Sequence, residues 1–206
     1  MTSSYYEKLR DGTVRSISED IPFSLPNSWE WCRLSTLFNV CSAKRVLQSD
    51  WRTEGIPFYR AREIVKLSTD GYVNNDLFIS ETHYRQLMEH NGVPKAGDLM
   101  VTGVGTIGKV YVVKADDVFY YKDASVLCFE NCYHAMIPDF AKIMMDSTLL
   151  QNQIHSQTYG NTVDTITIAT ASDYLCLLPP LKEQVRIAAA VSQLYLILNN
   201  IEKSLR

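Results

Sequence analysis

The stretch Pro179–Arg206, PPLKEQVRIAAAVSQLYLILNNIEKSLR, carries the most regular pattern in the chain. Its apolar residues Ile187, Val191, Leu194, Leu198, Ile201 and Leu205 are separated alternately by four and three positions. That alternation is the a/d seam of a coiled coil, with Val191, Leu198 and Leu205 at a and Ile187, Leu194 and Ile201 at d. Pro179 and Pro180 end the preceding segment and pre-set φ for a first helical turn. The spacing predicts a helix from Leu181 to about Arg206. Tyr195, Leu196 and Ile197 widen its apolar face beyond one seam, and a C-terminal helix after a double proline can project from the body. Such a face asks for a partner helix; the other reading is a helix lying on its own domain's core.

Upstream, Tyr174–Leu178 reads as a strand, and residues 161–173 form a Thr-rich segment with Ile166 and Ile168 alternating. Pro138 opens a helix through about Gln157, with Phe140, Ile143, Met144, Leu150 and Ile154 inward. Asp98–Thr102, Lys109–Lys114, Val118–Tyr121 and Ser125–Glu130 read as short strands between Gly or Asp turns. Residues 80–91 form a helix, with Ser80 as N-cap and Gly92 just past its end. Ile56–Ile64, aromatic with arginines interleaved, reads as a strand. Residues 42–55 read as a polar loop, and Trp29–Val40 as one amphipathic helix with Leu34, Leu37 and Phe38 inward. The fold class that follows is α+β. A lead-in at 1–28 precedes a compact β-rich domain with short helices at 29–178. The long coiled-coil helix occupies 179–206.

The 206 residues, 46% hydrophobic and 21% charged, suffice for a real core and exclude disorder and collagen. No apolar run approaches the ~18–20 residues that span a bilayer. Residues 1–20 carry Asp11, Glu19 and Asp20 and no signal-like apolar run, so a cytoplasmic protein is expected. The five cysteines are irregularly spaced and make no disulfide framework. Cys128-x3-Cys132-x-His134 lacks a fourth ligand for tetrahedral zinc, so no metal is expected. Net charge is −3, yet residues 33–66 hold seven basic groups and three acidic ones. A local basic surface on a mildly acidic protein is compatible with a docked phosphate backbone, though charge alone favours a solvated loop surface with no partner.

Gly103-Val-Gly105-Thr-Ile-Gly108-Lys109 matches a dinucleotide fingerprint and most of a phosphate-binding loop. Both motifs work only if a helix starts at the last glycine. The residues that follow, Val110, Tyr111, Val112 and Val113, favour a strand instead. The segment therefore reads as strand, glycine hairpin, strand. A nucleotide-binding enzyme using Gly103–Lys109 stays as a rival reading, and a protein-only scaffold as another. The histidines are scattered and no nucleophile elbow is present, so no catalytic residue is assigned.

Several segments together resemble the specificity (S) subunits of type I restriction-modification systems. They are Tyr6-Glu-Lys-Leu-Arg-Asp-Gly-Thr13, Ile21-Pro-Phe23, Leu25-Pro-Asn-Ser-Trp-Glu-Trp31 with Arg33-Leu34, Gly55-Ile-Pro-Phe-Tyr-Arg60 and Arg62-Glu-Ile64. Lys95-Ala-Gly-Asp98, the glycine segment, Gly160-Asn-Thr162, and Leu178-Pro-Pro-Leu-Lys-Glu-Gln184 with Arg186-Ile187 continue the match in family order. The resemblance implies a target-recognition domain that reads double-stranded DNA, without a cofactor or a catalytic centre. It implies docking of the DNA methyltransferase (M) subunit and, through the complex, the restriction (R) subunit. Family members pair two recognition domains through antiparallel helices. A chain with one domain and one helix is then a half-subunit that dimerises, with itself or a second half, or a fragment of a longer gene.

DNA readers place Arg at guanine and Asn or Gln at adenine, while other polar groups hold phosphates. The candidates for DNA contact are Lys44, Arg45, Gln48 and Arg52 in the polar loop, and Arg60 and Arg62 on the following segment. Thr106 and Lys109 lie in the hairpin, with Lys122, Asp123 and Ser125 after Tyr121 and Tyr159, Asn161 and Thr162 after the long helix. Arg62 and Glu63 also form a plausible internal ion pair. The candidates for dimerisation are the six seam residues Ile187, Val191, Leu194, Leu198, Ile201 and Leu205.

Overall fold

A computed structural model describes residues 5–8, 11–90, 92–156 and 164–205. Its centre is a four-stranded antiparallel sheet in the order β4 (Asn39–Ser42), β11 (Val126–Glu130), β8 (Leu99–Thr102), β9 (Val110–Val112). Side chains alternate between the two faces of a strand. Leu99, Val101, Leu127, Phe129 and Val110 enter one cluster; Met100, Val126, Cys128 and Tyr111 enter another. Both faces are covered, which is why β8 and β11 read as nearly unbroken apolar runs.

The larger cluster is closed by α4 (Pro138–Asp146), α5 (Thr148–Ser156) and α6 (Ile168–Ser172), through Phe140, Met144, Leu150, Ile154 and Ala171. The other face is closed by α2 (Ala61–Asp70), through Ile64 and Leu67. A second sheet runs β10 (Tyr120–Tyr121), β6 (Ile56–Tyr59), β7 (Phe78–Ile79), β5 (Trp51–Arg52). Its core, around Phe58, Ile79 and Tyr120, is filled by Leu87 of α3 (Glu81–His90). At the base, β3 (Glu30–Arg33) pairs with β12 (Leu175–Leu178). Near the N terminus β1 (Tyr6–Lys8) pairs with β2 (Val14–Ser16).

Several elements differ from the sequence reading: the loop read at 42–55 contains β5 and the Thr-rich segment 161–173 contains α6. Trp29–Val40 is not one helix: only α1 (Leu34–Leu37) is helical, between β3 and β4. Its apolar residues are buried as expected, but pairing with β12 on one side and β11 on the other outweighs the helical period. The strand at Ile56–Ile64 stops at Tyr59. Arg60 N donates to the Glu63 carboxylate at 2.9 Å, and that bond caps the start of α2. The helix from Pro138 breaks at Ser147, whose extended backbone separates α4 from α5 and whose hydroxyl accepts from Leu150 N at 3.4 Å. The lead-in contains the β1–β2 hairpin, held to the body where Glu7 accepts from Arg33 Nε at 2.8 Å.

The helix α7 (Leu181–Leu205) matches the sequence reading in place and length. It has two regimes. Ala188 and Gln184 are buried, and Ile187 packs against the main core. From Ser192 onwards every described residue is exposed.

Candidate nucleic-acid interface

Strand direction collects the candidate residues. The C-terminal ends of β4 and β8 and the N-terminal ends of β11 and β9 share one end of the central sheet. The loops that leave that end are 43–47, 103–109 and 122–125. Parallel pairing of β10 with β6 brings Arg60 and Lys122 to the same end, where Lys122 N donates to Tyr59 O at 2.8 Å.

Backbone and side-chain bonds stitch these loops together. Lys44 N donates to the Tyr120 hydroxyl at 2.9 Å, and Ala124 N to Ser42 Oγ at 3.3 Å. Gly103 N donates to Ser125 O at 2.9 Å, and Gly103 O accepts from Ile166 N at 2.8 Å. Gly105 N donates to Asp164 O at 3.2 Å, so the segment after α5 returns to the same place. Ala124 sits in the left-handed region at φ 59°, unusual for a residue with a Cβ. A strained non-glycine residue of this kind persists when its surroundings hold it, as at many recognition sites.

Lys44, Arg45, Thr106 and Lys109 are exposed at or beside this end, with Lys122, Asp123 and Ser125 partly exposed. Lys44, Arg45, Lys109 and Lys122 make no ion pair within the described residues. Gln48 and Arg52 are exposed too, Gln48 in a 3-10 turn just after loop 43–47 and Arg52 on β5 of the second sheet. There the Arg52 guanidinium donates to Ser49 O at 2.9 Å and Trp51 O at 2.8 Å, fastening its own turn. Tyr159, Asn161 and Thr162 lie outside the described residues.

Arg60 and Arg62 are engaged internally. Arg60 donates to Glu63 at 2.9–3.0 Å, and both arginines bond Glu63 and Asp76. Burial works to raise the Glu63 pKa, but hydrogen bonds from Arg60 and Arg62 prevail and hold it below the ordinary glutamate value. Asp76 is pulled down mainly by Arg62. The Arg62–Glu63 pair foreseen from sequence is present; Asp76, distant in sequence, was not foreseen. Arg33 is likewise engaged by Glu7, Asp20 and Asp173. The basic excess of 33–66 therefore rests on Lys44, Arg45, Arg52 and Lys66.

The glycine segment is β8, hairpin and β9, with Thr102 N donating to Lys109 O at 3.0 Å. No helix follows Gly108, so the free N–H groups of a phosphate loop are missing there. Among the described residues no group of three His, Cys, Asp or Glu could hold a metal, and no helix is long and apolar enough to cross a membrane.

Of the six seam residues, Ile187 is taken by the chain's own core and Val191 is half-buried beside α4. A helix rooted on its own body must spend its first turns there. Leu194, Leu198, Ile201 and Leu205 stand exposed by 50–82%, beside exposed Tyr195, Leu196 and Ile197. The root itself was missed by the sequence reading. Gln184, fully buried, accepts from Ile137 N at 2.9 Å and donates to Ala135 O at 3.0 Å and Pro179 O at 2.9 Å. A glutamine on the inward side of an apolar stripe was the available signal.

Comparison with known proteins agrees with this architecture. A family model described as the type I restriction modification DNA specificity domain matches residues 26–206. A putative type I restriction enzyme specificity subunit of Haemophilus influenzae is 26% identical over 176 residues, covering 81% of this chain and 40% of that protein. The EcoAI type I restriction enzyme specificity subunit of Escherichia coli is 25% identical over 191 residues, covering 89% of this chain and 31% of that protein. The chain thus spans well under half the length of these relatives. The HsdS subunit of Thermoanaerobacter tengcongensis shares the fold, with a TM-score of 0.67 at 17% identity over 89% of this chain and 41% of that one. A chain from a type I R-M system, studied for complex assembly and conformational transition, aligns with a TM-score of 0.68 at 18% identity, covering 89% of this chain and 42% of its own. On the match across 26–206, this chain belongs to the type I restriction-modification DNA specificity domain family.

Proposed function

We propose that this chain is one DNA-reading half of a type I specificity subunit. The domain at 29–178 reads one half of a split target in duplex DNA, and the helix at 179–206 sets its distance from a second reader. The observation that carries this reading is the convergence of 43–47, 103–109 and 122–125 on one sheet end, with Lys44, Arg45, Lys109 and Lys122 making no ion pair among the described residues. Phosphate contacts from these cations position the duplex, and Thr106, Ser125 and the segment containing Tyr159, Asn161 and Thr162 supply groups for base edges. The chain performs no chemistry itself; it works in the cytoplasm and docks the methyltransferase subunit, which in turn brings the restriction subunit.

The second reader is another copy of the chain or a companion half, joined through the exposed face at Leu194–Leu205. Two identical readers related by a two-fold axis demand a symmetric, interrupted target. The test is binding of the chain with its methyltransferase subunit to duplexes carrying the host's methylated motif, across a salt series. Affinity for the motif should exceed that for scrambled duplex and fall steeply with salt. Salt-independent or absent binding overturns the reading.

A further inference from the structure

Cys41 and Cys128 are direct partners in the register of β4 and β11. Directly opposed residues of antiparallel strands have Cα atoms ~4.5–5.5 Å apart, inside the ~4.4–6.8 Å range a disulfide spans. Both line one cavity of about 250 Å³, with Tyr120, Tyr121 and Glu130. Cys41 is half-buried; Cys128 is buried, with its Sγ 4.0 Å from Asp98 Oδ2. We propose that Cys41 and Cys128 form a reversible thiol–disulfide site, closed by a peroxide-class oxidant small enough to enter that cavity.

In the first step the Cys41 thiolate sulfur attacks one peroxide oxygen. The O–O bond breaks and hydroxide leaves, taking a proton to become water, with Cys41 left as sulfenic acid. Cys128 sulfur then attacks Cys41 sulfur, the S–O bond breaks, and the departing hydroxide takes the Cys128 proton as a second water. Two thiols are oxidised and one peroxide is reduced to two waters. The order follows from the surroundings. A hydrogen bond from Cys128 lowers the Cys41 pKa despite burial, while that same bond and burial push Cys128 up. The resulting bridge would lock β4 to β11 directly beneath loops 43–47 and 122–125.

The molecule contains its own contrast. Cys32 and Cys176 are also register partners, in β3 and β12. Their sulfurs turn to backbone carbonyls instead: Cys32 Sγ to Cys176 O at 3.9 Å and Cys176 Sγ to Tyr174 O at 3.5 Å. Burial pushes the Cys32 thiol up to about 12, and Cys176 is fully buried. This pair stays reduced.

The test uses a Cys132→Ser variant, which removes the exposed thiol, treated with hydrogen peroxide, alkylated and mapped by mass spectrometry without reduction. The expected product is a monomer lighter by two hydrogen atoms with Cys41 linked to Cys128, reversed by dithiothreitol, and with Cys32 and Cys176 alkylated. Adding Cys128→Ser should leave Cys41 as a sulfenic acid that dimedone captures in the folded protein. The proposal is overturned if Cys41 and Cys128 both remain alkylatable at a dose that fully oxidises Cys132 in the wild type. It is also overturned if Cys32–Cys176 is the bridge that forms, or if dimedone finds nothing at Cys41.

Discussion

Glu63 is the carboxylate on which one corner of the molecule hangs. It is 2% exposed, caps the start of α2 through Arg60 N, and receives both Arg60 and Arg62. Removing its charge leaves Arg60, itself only a quarter exposed, with Asp76 as remaining anion. Breaking a buried pair by removing one partner costs ~3–5 kcal/mol; the access of Arg60 to water and to Asp76 reduces that to about 2 kcal/mol. We therefore expect Glu63→Gln to lower stability by about that amount in urea denaturation at neutral pH. The folded pKa lies below the ordinary value of 4.5, so this contribution is fully present above pH 4.5 and is lost as pH falls through the folded value. The wild-type and variant curves should converge in acid; a gap that is constant with pH would show that shape, not charge, carries the effect.

At the scale of the element, α7 is a root and an arm. The root is polar at its centre: Gln184 satisfies one N–H and two carbonyls that would otherwise be buried unpaired. The arm leaves Leu194, Leu198 and Ile201 more than half or just half exposed, an apolar band that a monomer rarely shows to water. A partner helix laid on it would bury much of that band at ~25 cal/mol per Å². The Leu194→Glu, Leu198→Glu double variant should halve the mass seen by light scattering, from dimer to monomer. A single-chain mass in both wild type and variant rules out self-association through this face. The helical content should persist in the variant, since neither leucine touches the core.

For the molecule as a whole, three lysines from three different loops meet at one sheet end: Lys44, Lys109 and Lys122. If each neutralises one phosphate, the salt slope of DNA binding falls by roughly one per lysine removed. The Lys44→Ala, Lys109→Ala, Lys122→Ala variant should lose about three units of slope and weaken binding to all sequences alike. Arg52→Ala, in the other sheet and bonded to its own turn, should leave the slope unchanged. Equal slopes for triple variant and wild type would move the DNA surface elsewhere.

The amino-acid order by itself determined the local features. Period and proline placement specify α7; apolar runs between turn residues specify β8, β9 and β11; Ser80 and Gly92 bracket α3. The valines after Gly108 favour a strand over a phosphate loop. Tertiary structure alone decided the rest. The helical spacing of Leu34, Leu37 and Phe38 yields to pairing of β3 with β12 and of β4 with β11, partners that lie far away in the chain. Arg60 and Arg62 acquire Asp76 as a shared partner, with Glu63 buried beside them, only through the fold. Ile187 belongs to the seam by spacing and to the core by position. Periodicity reports which side of an element avoids water; which neighbour fulfils that demand depends on contacts between residues far apart in the chain, and those exist only once the sheet has formed.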